Sequence, residues 1–181
     1  MIFQPTPLAG AYVIELEPHA DERGFFARTF CEREFGARGL ATRFPQANTS
    51  FNARAGTLRG MHWQAAPHAE AKLMRCTSGA IFDVIVDLRR RSPTLLRWFG
   101  VELSARNRKA LYAPEGFAHG FLTLTPEAEV AYLMSASYAP EAARGARYDD
   151  PRLGIAWPAK PAVISARDLA YPDLDDGLLQ D

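Results

Sequence analysis

The residues best suited to chemistry are His62, Lys72, His119 and Tyr132, with Glu70 close behind. His62, Glu70 and His119 would make a two-histidine, one-carboxylate metal set. His62 as base, Tyr132 as acid and Lys72 as fixed cation would instead make a metal-free site for abstracting a proton next to a carbonyl. That chemistry needs a group to take the proton, a group to return one, and positive charge at the developing enolate oxygen. Taken singly, His62 equally suits a satisfied core histidine and Lys72 a residue that snorkels from a strand end.

The elements that must position these residues read as strands. Gly56 to Gln64 is strand-compatible, and period-two alternation places Leu58, Gly60, His62 and Gln64 on one face, with Arg59, Met61 and Trp63 on the other. Gly60 in its middle predicts a bulge or a close approach by another group. Lys72, Met74 and Cys76 share a face of the strand Ala71–Thr77, and Ile81, Asp83, Ile85 and Asp87 share one within Ala80–Leu88. Val130 to Tyr138 reads as a long strand with Val130, Tyr132, Met134 and Tyr138 on one face. Further strands are expected at Ala11–Glu17, Phe25–Phe30, Trp98–Leu103 and Lys109–Ala113, and Arg23 sits at the mouth of the second of these. Gln46 to Asn52 is a polar strand that faces either solvent or a wet cavity. Cys31 to Leu40 reads as a short helix, weakened by Gly36 and Gly39. From Ala113 to Phe121, one Pro and two Gly interrupt the pattern around His119. Many short strands, little helix, no repeat and no linker predict one all-β domain spanning residues 1–181, a jelly roll.

Composition narrows the function. Lys plus Arg and Asp plus Glu each total 21, so no overall field draws the chain to nucleic acid or to an acidic membrane. An anionic ligand must then be held locally. Two cysteines, Cys31 and Cys76, give no disulfide framework. The first ten residues carry no secretory pattern, and the apolar run at Ala80–Leu88 is too short to span a bilayer. The expectation is a cytoplasmic protein with no nucleic-acid or membrane partner.

Pro114-x-Gly116-x-x-His119 is similar to half of the pattern of metal-binding cupin jelly rolls. The other half, His-x-His, stands here as His62-x-Gln64, the polar residue expected after His119 is Thr123, and Lys72 would repel a cation. The ordered series Asp21-Glu22-Arg23-Gly24-Phe25-Phe26, Gly56 to Gln64, Lys72-Leu73, Phe82-Asp83-Val84 through Ser92-Pro93-Thr94, Pro114 to Phe121, Gly154 to Pro158 and Ser165 to Asp168 resembles the dTDP-4-dehydrorhamnose 3,5-epimerase family.

The resemblance implies a double-stranded β-helix (cupin jelly roll) with short peripheral helices. It further implies a homodimer, no metal, no cofactor, and epimerisation of a nucleotide-linked 4-keto-6-deoxy sugar. It assigns His62 as the base, Asp168 as its orienter, Tyr132 as the proton donor and Lys72 as the cation at C4. It also places Arg23, Phe26, Arg28, Gln46, Asn48, Arg59, Gln64, His119, Tyr138 and Arg167 around the substrate, with Tyr138 stacking on the base. Strict alternation puts Arg59 on the face opposite His62, so this assignment requires the bulge at Gly60. Two positions depart from the family: Arg28 stands where an acid is common and Thr49 where a histidine is frequent. Arg28 has only donors, so it suits the N3 acceptor of cytosine better than the N3–H of thymine, unless it turns away to an acid such as Glu17 or Glu32.

Overall fold

A computed structural model describes residues 1–181. Its strands are β1 (Ile2–Pro5), β2 (Tyr12–Glu15), β3 (His19–Asp21), β4 (Gly24–Phe26), β5 (Gln46–Asn52), β6 (Thr57–Gln64), β7 (Lys72–Ser78), β8 (Ala80–Asp87), β9 (Trp98–Ser104), β10 (Ala110–Ala113), β11 (Phe117–Thr123), β12 (Ala128–Met134), β13 (Ala143–Gly145) and β14 (Val163–Ile164). Two short helices, α1 (Glu32–Gly36) and α2 (Ala166–Leu169), lie outside them.

One sheet runs β1-β2-β10-β7-β12-β5 and the other β13-β6-β11-β8-β9, with β14 added parallel to β6. β3 and β4 pair only with each other.

Alternation makes the two sheets face one another. Met74, Leu111 and Val130 of the first meet Ile81, Ile85, Leu103 and Phe121 of the second in a shared apolar core. Odd and even residues of β8 are both buried because its outer face is also covered. Val84, Val86 and Leu88 pack there with Met61, Trp63 and the C-terminal Leu153 and Leu174. On the outer face of the first sheet, Phe35 of α1 is fully buried among Phe3, Phe30, Phe44 and Tyr112. No helix is long and apolar enough to cross a membrane.

Several expected boundaries move. The strand expected over Phe25–Phe30 stops at Phe26 and folds onto β3 as a hairpin, while Phe30 turns in to pack on Phe35. The Cys31–Leu40 helix ends at Gly36, consistent with the two glycines that weaken it. The long strand is Ala128–Met134, which leaves Tyr138 beyond its end. Around His119 the chain is a strand at the centre of its sheet, because the breakers cluster before it and Gly120 lies against β6. β1 falls in a segment whose sequence carries no alternation signal.

Candidate active site

Residues of both sheets line a cavity of about 280 Å³, among them Asn48, Ser50, Arg59, His62, Lys72, His119 and Tyr132. β6 and β11 bring His62 and His119 from the second sheet, and β7, β12 and β5 bring Lys72, Tyr132 and Asn48 from the first. The polar strand β5 therefore faces the wet cavity.

Arg59 joins His62 through a bulge. Between His119 and Phe121 of β11, β6 advances from His62 to Arg59, so three steps on one strand oppose two on the other. The extra residue reverses the alternation. Gly60 is required at this point: its φ is +132°, and an added Cβ would lie 2.5 Å from the Gly120 Cα.

His62 is paired. Its Nε2 lies 2.8 Å from Asp168 Oδ1, and Asp168 Oδ2 accepts the Gly60 N–H at 3.3 Å. Asp168 is buried, which alone would push its pKa up, but the His62 imidazole and the Gly60 N–H favour the carboxylate and hold it below the ordinary value. With Nε2 engaged, Nδ1 is the nitrogen left to take a proton.

Lys72 does not snorkel. It is buried, with its ammonium 3.1 Å from Glu70 and donating to the His62 carbonyl at 3.2 Å. Glu70 is thereby committed to Lys72, and no group of three His, Cys, Asp or Glu side chains converges as a metal set. His119 has a carboxylate of its own: Nε2 is 2.7 Å from Asp83 Oδ1, and Asp83 Oδ2 is buried without a partner. Asp83 was the residue missed. Its signal was a carboxylate on the inward face of an apolar strand. Tyr132 lies edge-on to His119, and burial together with the nearby Asp83 charge raises its phenol pKa, opposed by Ser50 and Arg59.

The remaining assigned residues divide. Arg59 is held by Asn52 Oδ1 at 2.7 Å. Gln46 accepts the Tyr138 N–H at 2.9 Å and donates to Asn48 at 3.3 Å. Tyr138, Arg167, Gln46 and Asn48 line a second cavity of about 200 Å³ next to His62, and Arg167 also lines a third with Arg59 and Asp168.

Gln64 lines the second cavity as well, and its amide is fixed there by loop backbone, donating to the His68 and Ser137 carbonyls and accepting from the Ala139 N–H. Arg23, Phe26 and Arg28 are not gathered at the cavity of their own chain. Arg23 pairs with Asp21 on the exposed hairpin, Phe26 is 74% exposed, and Arg28 donates to Glu34 at 3.0 Å in a separate crevice. The acid that takes Arg28 is Glu34, rather than Glu17 or Glu32.

The family model for dTDP-4-dehydrorhamnose 3,5-epimerase matches residues 5–176. The chain belongs to this epimerase family. A relative of that name from Methanothermobacter thermautotrophicus is 47% identical over 175 residues, covering 95% of this chain and 94% of its own. The crystal structure of dTDP-4-dehydrorhamnose 3,5-epimerase from Elizabethkingia anophelis superposes with a TM-score of 0.92 at 39% identity, covering 95% of each chain. A 3,5-epimerase from Legionella pneumophila in complex with dTDP-4-keto-L-rhamnose gives 0.90 at 37% identity, covering 99% of this chain and 97% of its own. The fold is thus the cupin jelly roll, and members of the epimerase family are isomerases acting on carbohydrates.

Proposed function

We propose that the chain epimerises a nucleotide-diphosphate-linked 4-keto-6-deoxy sugar at C3, C5 or both, on a route to rhamnose or a related deoxysugar. The observation that carries this reading is the His62–Asp168 pair at 2.8 Å, set across one cavity from Tyr132. A hydrogen on carbon next to the C4 ketone is acidic because its removal gives an enolate. His62 Nδ1 takes that proton, and Asp168 holds the tautomer and stabilises the imidazolium. Lys72, with His119, meets the negative oxygen at C4.

Inversion needs the new proton on the other face. His62 and Tyr132 extend from opposite sheets, so a sugar ring between them presents one face to each. The raised phenol pKa keeps Tyr132 protonated until it donates to the carbanion. Arg59 and Arg167 line one cavity beside His62, and Arg167 also lines the neighbouring one with Gln46, Asn48 and Tyr138, so cations for the diphosphate and an aromatic ring for the base stand around the reacting sugar.

Arg23 and Phe26 fit the reading through a homodimer in which the β3–β4 hairpin of one chain reaches the cavity of its partner. Support comes from the hairpin's exposure and its lack of pairing with either sheet. Arg28, turned to Glu34, does not favour a CDP carrier, and dTDP is the carrier proposed.

The experiment is incubation with dTDP-4-keto-6-deoxyglucose in deuterated water. Label at C3 or C5 with inverted configuration supports the reading. An unchanged substrate with no label refutes it.

A further inference from the structure

Tyr171 lies just beyond α2, touches two site residues and has no part in the reaction above. Its ring meets His62 edge-on, with centroids 5.8 Å apart and planes at 65°. Its hydroxyl accepts the Arg167 Nε–H at 2.9 Å, four residues back along the chain. The ring fits only because β13 places a glycine opposite His62. An added Cβ on Gly145 would lie 2.3–2.6 Å from three of the Tyr171 ring carbons.

α2 needs such a wedge. It has four residues, too few to be stable alone, and it carries both Asp168 and Arg167. Before it, β14 pairs with β6, and Ser165 caps its first turn. After it, Leu169 is 55% exposed and anchors nothing, and the next buried apolar residue is Leu174. Tyr171 fills that gap.

We propose that Tyr171 is a positioning residue for the epimerisation: seated on Gly145, it clamps α2 to β6, so that Asp168 stays in register with His62 while its hydroxyl turns Arg167 toward the bound substrate. The inference rests on the assignment of His62 as base. The two halves separate by substitution. Tyr171→Phe keeps the wedge and loses the acceptor for Arg167, a hydrogen bond to a charged donor. KM should rise about three- to tenfold with kcat nearly unchanged. Tyr171→Ala loses the wedge too, and displacement of Asp168 should lower kcat by about ten- to a hundredfold.

The decisive test adds Gly145→Ala, whose new methyl pushes the ring from its seat. Kinetics are measured on wild type, Tyr171→Phe, Tyr171→Ala, Gly145→Ala and the double Gly145→Ala/Tyr171→Ala, with melting temperature followed in parallel. Gly145→Ala should lower kcat in wild type and add nothing further in the Tyr171→Ala background, where no ring remains to displace. Multiplying losses, equal effects of Tyr171→Phe and Tyr171→Ala, or lower melting temperatures with kcat and KM intact would overturn the proposal. Failure of the parent assignment is read separately, as turnover surviving in His62→Ala.

Discussion

Replacing Asp168 by asparagine exchanges one carboxylate oxygen for an NH2 and leaves no good arrangement. The carboxylate accepts on both oxygens, from His62 Nε2 at 2.8 Å and from the Gly60 N–H at 3.3 Å. An amide has one acceptor and one donor. If its oxygen faces His62, its NH2 meets the Gly60 N–H donor to donor, at about 1–3 kcal/mol for the unpaired groups. If its NH2 faces His62, Nε2 must be unprotonated, the proton moves to Nδ1, and the nitrogen facing the substrate can no longer accept one. Either orientation also removes the negative charge beside the imidazolium. The expected loss in kcat/KM is about 10²–10⁴-fold, or roughly 3–5 kcal/mol of transition-state stabilisation. The assay is the rate of deuterium entry from solvent into the sugar, followed by proton NMR, with nucleotide affinity measured alongside. Affinity should hold within a few-fold, because the arginines are untouched. An Asp168→Asn protein that exchanges within about threefold of wild type would refute the pairing as the source of the base.

Chelating agents should leave turnover unchanged, because Lys72 already supplies positive charge at the cavity and takes up Glu70 at 3.1 Å. A metal-stripped sample that is inactive and recovers with a divalent ion would contradict this. Arg28→Glu should leave the ratio of dTDP to CDP dissociation constants as it is, since Arg28 is spoken for by Glu34 at 3.0 Å; titrating both nucleotides into both proteins checks it. Asp87 is fully buried and accepts from Arg89 and Thr94 at 2.7 Å and also from Ser92. Burial pushes its pKa up, but these donors outweigh it and hold the folded value low. A depressed folded pKa stabilises above the ordinary carboxylate value and is lost as pH falls through the folded one. Stability should therefore drop from about pH 4 downward. Asp87→Asn should flatten that drop and cost about 2–4 kcal/mol at neutral pH, a fall in melting temperature of roughly 5–15 °C, with kcat intact in the folded fraction. A pH-stability curve parallel to wild type would count against it.

Much of the site was readable where alternation is regular. Lys72 and Tyr132 sit on the inward faces of β7 and β12, as period two requires, and the polar β5 followed from its composition once a cavity existed for it to face. Arg59 needed more than alternation: its side is decided by one extra residue at the bulge, and Gly60 marked the place without giving the direction of the step. The Asp168 contact spans 106 residues, a separation that no local pattern encodes, so it came only through the family resemblance. Gln64 reaches the cavity on the face it shares with His62, but the loop carbonyls and N–H that fix its amide lie outside its own strand and leave no mark on the alternation. The hairpin residues Arg23 and Phe26 were placed by resemblance at a site that their own chain does not bring to them.

Inversion needs two groups acting from opposite sheets, and Tyr132→Phe tests that division most directly. Removing the phenol hydroxyl leaves His62, Asp168 and Lys72 in place, so proton abstraction should continue and return should come from the same side. In deuterated water the starting sugar should gain label at the carbon beside the ketone while keeping its configuration, and the inverted product should fall by at least about 10²-fold. Loss of exchange and inversion in equal measure, or inversion at the wild-type rate, would contradict the assignment of Tyr132 as the opposing acid.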